Sequence, residues 1–237
     1  MHRAVLLVLP VMLAAMTSQA REARLRMPDG MPEAVDTLTV SGHSPRRHGE
    51  PVRIGPYSAL ELREGDRFGW EIPLGRPALR GLDTGWAFTQ IAIGQAPVQV
   101  QCRARARALV HGDADATLSV DLDMLRTRPV LVCAFRSDGE ERHVLELFRR
   151  GERLEGTASG PDGAYRVASL HGLEGTPLPS GTPAGYQVQE DGRTVMVVDR
   201  LNAGAVSLDS GLSPAQRVPL AALATALLML DPAFGDD

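Results

Sequence analysis

Three arginines stand at alternate positions in one apolar-polar run, 98–109: Arg103, Arg105 and Arg107. Along an extended chain they share a face and stand about 7 Å apart. Guanidinium groups at that spacing could hold phosphate or carboxylate through paired N–H donors. Anionic lipid headgroups, acidic polysaccharide or another envelope protein would suit them. The same stripe also reads as an exposed strand face, paired with acids on neighbouring strands.

Other residues suggest chemistry less sharply. Gly42-His43-Ser44-Pro45-Arg46 begins like a nucleophile elbow but lacks its last glycine and the helix that should follow. His43 and His48 share that loop without a partnering carboxylate. His111, Asp113 and Asp115 alternate and could converge on a cation, and Asp121 with Asp123 repeats the pattern. Calcium wants six or more oxygens, however, and the EF-hand glycine and glutamate are missing. A solvated turn explains these acids as well. Glu140-Glu141 and Glu152/Glu155 could be imagined as an acid pair for glycoside hydrolysis, but charged hairpin ends are the simpler reading. No metal and no cofactor is expected.

Composition removes whole classes. All 25 residues counted as Lys+Arg are arginine. Without lysine there is no P-loop, no kinase-type nucleotide lysine and no Schiff-base or pyridoxal-phosphate chemistry. A formal net charge of −4 argues against a general nucleic-acid binder. Two cysteines cannot build a cysteine-rich zinc site.

The N-terminus reads as an address. Met1-His2-Arg3 is followed by an uncharged, mostly apolar run to Met16, and Thr17-Ser18-Gln19-Ala20 supplies small residues for a cut after Ala20. That order is the secretory signal-peptide pattern, and the run is short of the roughly 20 residues that span a bilayer. Residues 1–20 are therefore expected to be a cleaved signal, 21–35 a flexible leader, and 36–237 a single domain in the periplasm or outside the cell. In an oxidising compartment Cys102 and Cys133 are expected to pair; neither a CxxC motif nor a nearby histidine suggests a reactive thiol.

Nearly everything after the leader reads as short strands: 37–40, 52–54, 58–63, 68–72, 86–93, 98–109, 117–122, 130–135, 143–148, 164–170, 186–189, 194–199 and 205–208. In 98–109 the even positions from Val98 to Ala108 are apolar and Gln99, Gln101 and the arginines are polar, the period of a half-buried strand. Asp138-Gly139, Arg150-Gly151, Asp162-Gly163 and Asp191-Gly192 tolerate the backbone of tight hairpins. The fold class is mainly β, an antiparallel barrel or sandwich. Residues 172–185, rich in Gly, Pro and Thr, read as a surface loop or a seam. Trp70, Trp86 and Phe88 are expected to fill the core.

One segment breaks the pattern. Ser213-Pro214-Ala215-Gln216 has the order of a helix-capping box with Pro at the first helical position. From Val218 to Leu230 there is no charge, and Thr225 is the only polar side chain. A helix apolar on every side must be buried on every side, and at about 20 Å it is too short to cross a membrane. Pro219 is expected in or just before the first turn.

Strands 194–199 and 205–208, then Leu220-Ala-Ala-Leu-Ala-Thr-Ala-Leu-Leu-Met-Leu-Asp231, resemble the ending of the tubby C-terminal-like barrel. That superfamily also holds the phospholipid scramblases and the plant LURP-one-related proteins. The similarity of pattern covers roughly 52–231. It implies an antiparallel barrel of about twelve strands enclosing a hydrophobic C-terminal helix, and it carries over no binding residue.

The leading expectation is a non-enzymatic exported envelope protein that binds an acidic group or partner. An exported hydrolase would need His43 or His111 to meet Ser44 or a carboxylate pair in one cleft. A structural subunit of an envelope assembly is the third reading.

Overall fold

The computed structural model describes residues 22–42, 51–113, 116–125, 128–161 and 163–231. The expected signal segment 1–20, the loop with His43, Ser44 and His48, and the acid Asp115 lie outside the described residues.

Among the described residues fourteen strands form one continuous antiparallel sheet. The first five are β1 (Val35–Ser41), β2 (Val52–Ile54), β3 (Tyr57–Glu64), β4 (Phe68–Pro73) and β5 (Ala78–Ile91). Then come β6 (Val98–Asp113), β7 (Ala116–Asp121), β8 (Leu131–Ser137), β9 (Glu140–Arg150) and β10 (Arg153–Gly160). The last four are β11 (Gly163–Leu170), β12 (Gly185–Glu190), β13 (Arg193–Asp199) and β14 (Ala205–Asp209). Twelve of them close into a barrel in the order β5-β3-β2-β1-β14-β13-β12-β11-β10-β9-β8-β6, and β6 pairs back to β5. Closure removes the unpaired edges an open sheet would expose.

Two strands outrun the barrel. β5 pairs with β3 through residues 86–91 but with β4 through residues 78–83. Likewise β6 pairs with β8 through 99–104 and with β7 through 108–113. The result is a four-stranded flap, β4-β5-β6-β7, projecting beyond the barrel wall.

The barrel closes on the helix α1 (Pro214–Met229). Every residue from Leu220 to Leu228 is buried, and α1 touches β2, β3, β5, β6, β8 and β13. Burial on all sides is why the segment carries no charge. Gln216 Oε1 accepts from Ser213 N at 3.0 Å and Ser213 Oγ at 2.9 Å, fixing the first turn. Pro219 lies inside the helix, not in its first turn as expected, because α1 begins at Pro214. At the other end Arg200 Nη2 donates to the carbonyl of Leu228 at 3.4 Å and to that of Leu230, setting a cation against the negative end of the helix dipole.

Cys102 and Cys133 are opposed register partners on β6 and β8 and form the disulfide. The segment expected to be a leader runs along the barrel from residue 22: Leu25 is buried, bridges to Leu173, and Arg26 N donates to Gly172 O at 2.9 Å. Residues 171–184 link the adjacent strands β11 and β12. Trp86 and Phe88 are core residues, as expected. Trp70 is not: its ring covers Gly81 on the outer face of the flap, where a Cβ at position 81 would meet it at 2.1 Å.

Candidate anion-binding groove

The outer wall of the barrel at β3, β5, β6 and β8 is floored by small residues. Register aligns Arg63, Ala87, Gln101 and Ala134 in one cross-strand row, and Gly85, Arg103 and Val132 in the next. Asp83 faces Arg105 in a third. Neighbouring strands lie about 4.8 Å apart, so long side chains on β3 and β6 rise around a floor made by Gly85, Ala87 and Ala134. The hollow they enclose has a volume of about 960 Å³ and is lined by Arg63, Arg103, Arg105 and Arg128, against Asp66 and Asp83. Phe68 forms its wall on the flap side.

Two of the three stripe arginines belong to this groove and one does not. Arg103 is exposed, and its guanidinium makes no ion pair with the described residues. Arg105 Nε lies 3.0 Å from Asp83 Oδ1, and Asp83 Oδ2 accepts from Trp70 Nε1 at 3.1 Å. Arg107 is committed elsewhere. Its backbone N donates to Asp123 Oδ2 at 2.7 Å, and its Nη2 lies 3.4 Å from Asp123 Oδ1. Burial raises the Asp123 carboxyl above its ordinary value, opposed by the Arg107 amide and guanidinium. Period two correctly puts the three arginines on one face; it is blind to the rim, where β6 leaves the barrel and the turn Leu122–Leu125 packs beside it.

Arg63 and Arg128 carry no sequence signal that marks them as groove residues. Strict alternation from buried Ala59 assigns Arg63 to the inner face. A register shift between Leu60 and Arg63, with Glu61 at φ 54°, moves it outward. Arg128 lies outside the strands and offers no periodic signal at all.

The remaining candidates do not gather. Among the described residues no three His, Cys, Asp or Glu side chains are placed to hold a metal ion. Asp121 Oδ1 accepts from Asp123 N at 2.7 Å, and Arg149 Nε lies 3.3 Å from Asp121 Oδ2. Glu140 pairs with Arg142 at 3.0 Å and Glu155 with Arg150 at 3.8 Å. His111 is exposed on the flap. A Ser–His contact does occur, at a place the sequence did not suggest. Ser169 Oγ and His171 Nε2 are 2.9 Å apart, and His171 Nδ1 is 2.8 Å from Ser180 O. Ser169 Oγ also accepts from Leu154 N at 2.9 Å, and the serine is 8% exposed. With the imidazole held by a carbonyl and the hydroxyl closed off from solvent, the pair ties the 171–184 loop to the barrel.

Guanidinium groups dominate the charged lining of the hollow. The side chains around it supply fixed positive charge and N–H donors, and Cys102, which contributes to its lining, is held in the disulfide. The groove therefore suits phosphate, sulfate or carboxylate groups. Comparison with known proteins found no match: no protein-family model, no curated protein and no solved structure is similar to this chain.

Proposed function

We propose that this protein is a non-enzymatic, exported binding protein whose outer groove holds a negatively charged group. The observation that carries the reading is the convergence of Arg63, Arg103, Arg105 and Arg128 over a floor of small residues. Three of these guanidinium groups, all but Arg105, make no ion pair with the described residues, so an anion meets donors that are not already spent. Candidate partners are anionic lipid, acidic polysaccharide or an acidic surface of another envelope protein. The signal-peptide order of residues 1–20 supports a location in the periplasm or outside the cell, and a buried disulfide supports an oxidising compartment. A barrel closed on its C-terminal helix supports kinship with the tubby-like superfamily.

The test is calorimetric titration with dextran sulfate, a soluble polyanion. Arg63→Ala/Arg103→Ala should weaken binding by about tenfold or more, whereas Arg166→Ala on β11 should leave it unchanged. Equal losses from both variants would mean general charge attraction and no built groove.

A further inference from the structure

Next to the groove, the outer face of the flap turns from cationic to apolar within a few residues. The Arg105 row contains Asp83 and Phe68, and the Arg107 row contains Gly81 and Trp70. The row after that is Ile72, Leu79, Leu109 and Val120, one apolar side chain from each of the four strands. Phe68 is 64% exposed, Ile72 50%, Val120 49% and Leu118, one row further, 66%. Leu74, just past the end of β4, adds 59%. Apart from Met124 and Leu125 beside β7, the other large exposed apolar side chains among the described residues are scattered singly. Contiguous exposed apolar surface of this kind marks an interaction site.

We propose that the flap is a membrane-docking surface. Its apolar row enters the headgroup boundary of a bilayer containing anionic lipid, while the groove arginines hold lipid phosphates beside it. This rests on the anion-binding reading of the groove and names the occupant. Charge complementarity favours a bilayer over a second copy of the chain, because a two-fold contact through this face would set arginines against arginines. Trp70 stands at the border between the charged and apolar rows with its N–H on Asp83, the amphipathic placement that suits an aromatic at a membrane interface. The outer edges of β4 and β7 are unpaired within the sheet, which keeps the flap out of the hydrocarbon, where free backbone groups are not tolerated. Docking is therefore shallow, by insertion of side chains alone.

The experiment is co-sedimentation with phosphatidylcholine vesicles, with and without phosphatidylglycerol, alongside titration with dextran sulfate. The wild-type protein should bind only the vesicles that contain phosphatidylglycerol, with a blue shift of Trp70 emission; Trp86 is buried already and should not respond. Ile72→Ser/Val120→Ser, both at exposed positions, should lose about tenfold or more in vesicle affinity and bind dextran sulfate as the wild type does. Vesicle binding by that variant at wild-type strength overturns the docking inference and leaves the groove reading standing. Dextran sulfate binding by Arg63→Ala/Arg103→Ala at wild-type strength overturns the groove reading itself. A wild-type protein that ignores vesicles but dimerises in solution, and becomes monomeric as Ile72→Ser/Val120→Ser, shows that a second copy covers the face and overturns the inference.

Discussion

Asp83 Oδ1 lies 3.0 Å from Arg105 Nε across the β5–β6 ladder, the two residues directly opposed. Asp83 is thus a built-in competitor for any anion in the groove. Asp83→Asn keeps an acceptor for the Trp70 indole and removes the charge. Because the pair is partly exposed, the effect is modest: affinity for dextran sulfate should rise about two- to fivefold. Unchanged or weaker binding by calorimetry would show that Arg105 does not take part.

Inside the barrel, Thr225 Oγ1 donates to Gln90 Oε1 at 2.9 Å and shares that proton with Ala221 O at 3.0 Å. Both residues are 0% exposed. Thr225→Val leaves the Gln90 amide buried without this partner and should cost about 1–3 kcal/mol in urea unfolding. Gln90→Leu combined with Thr225→Val should cost less than the two single changes summed, by 0.5 kcal/mol or more in a double-mutant cycle, roughly the coupling expected of residues in contact. Additive losses would mean that the contact does not register helix and barrel.

The Cys102–Cys133 bond joins residues 31 apart. Closing a loop of that size stabilises by about 3–4 kcal/mol through the unfolded chain. Cys102→Ala/Cys133→Ala should lower the urea midpoint accordingly, and reductant should lower it for the wild type but leave the variant unmoved. A midpoint insensitive to reductant under unfolding conditions would contradict this.

Burial raises the Asp123 carboxyl from its ordinary 3.8. The folded state therefore binds this proton more tightly than the unfolded chain. The contribution of Asp123 to stability falls as pH climbs from the unfolded value through the folded one, then stays level. Asp123→Asn retains an acceptor for the Arg107 N–H and cannot ionise. Relative to the variant, the wild-type protein should lose stability as pH rises above about 4. Denaturation curves collected across that range that keep a constant difference would exclude the effect.

Much of this architecture is legible in the residues, and the exceptions have physical causes. α1 is recognisable because an uncharged stretch can only be enclosed. The β5–β6–β8 wall follows from alternation and from the two cysteines. β10 escapes notice: Arg153-Leu-Glu-Gly-Thr-Ala-Ser-Gly160 has little β-branched character. Its glycines serve close packing, since a Cβ at Gly156 would lie 1.8 Å from Glu146 O and one at Gly160 1.7 Å from Arg142 O. The first half of β5 is hidden in the same way by Pro77, Gly81 and Gly85. In the groove, Arg103 and Arg105 are visible to a period-two reading. Arg63 is concealed by the bulge at Glu61, and Arg128 by lying between strands, because a groove is a property of register and closure that alternation along one strand does not contain.

With no lysine in the chain, the arginine Nε–Hε signals in a ¹H–¹⁵N spectrum report every basic side chain except histidine and the amino terminus. Titrating dextran sulfate into labelled protein should move the Arg63, Arg103, Arg105 and Arg128 signals first and together, with Arg53, Arg166 and Arg193 responding only at higher concentration. Equal movement of all arginines from the first addition would contradict a binding groove at this wall of the barrel.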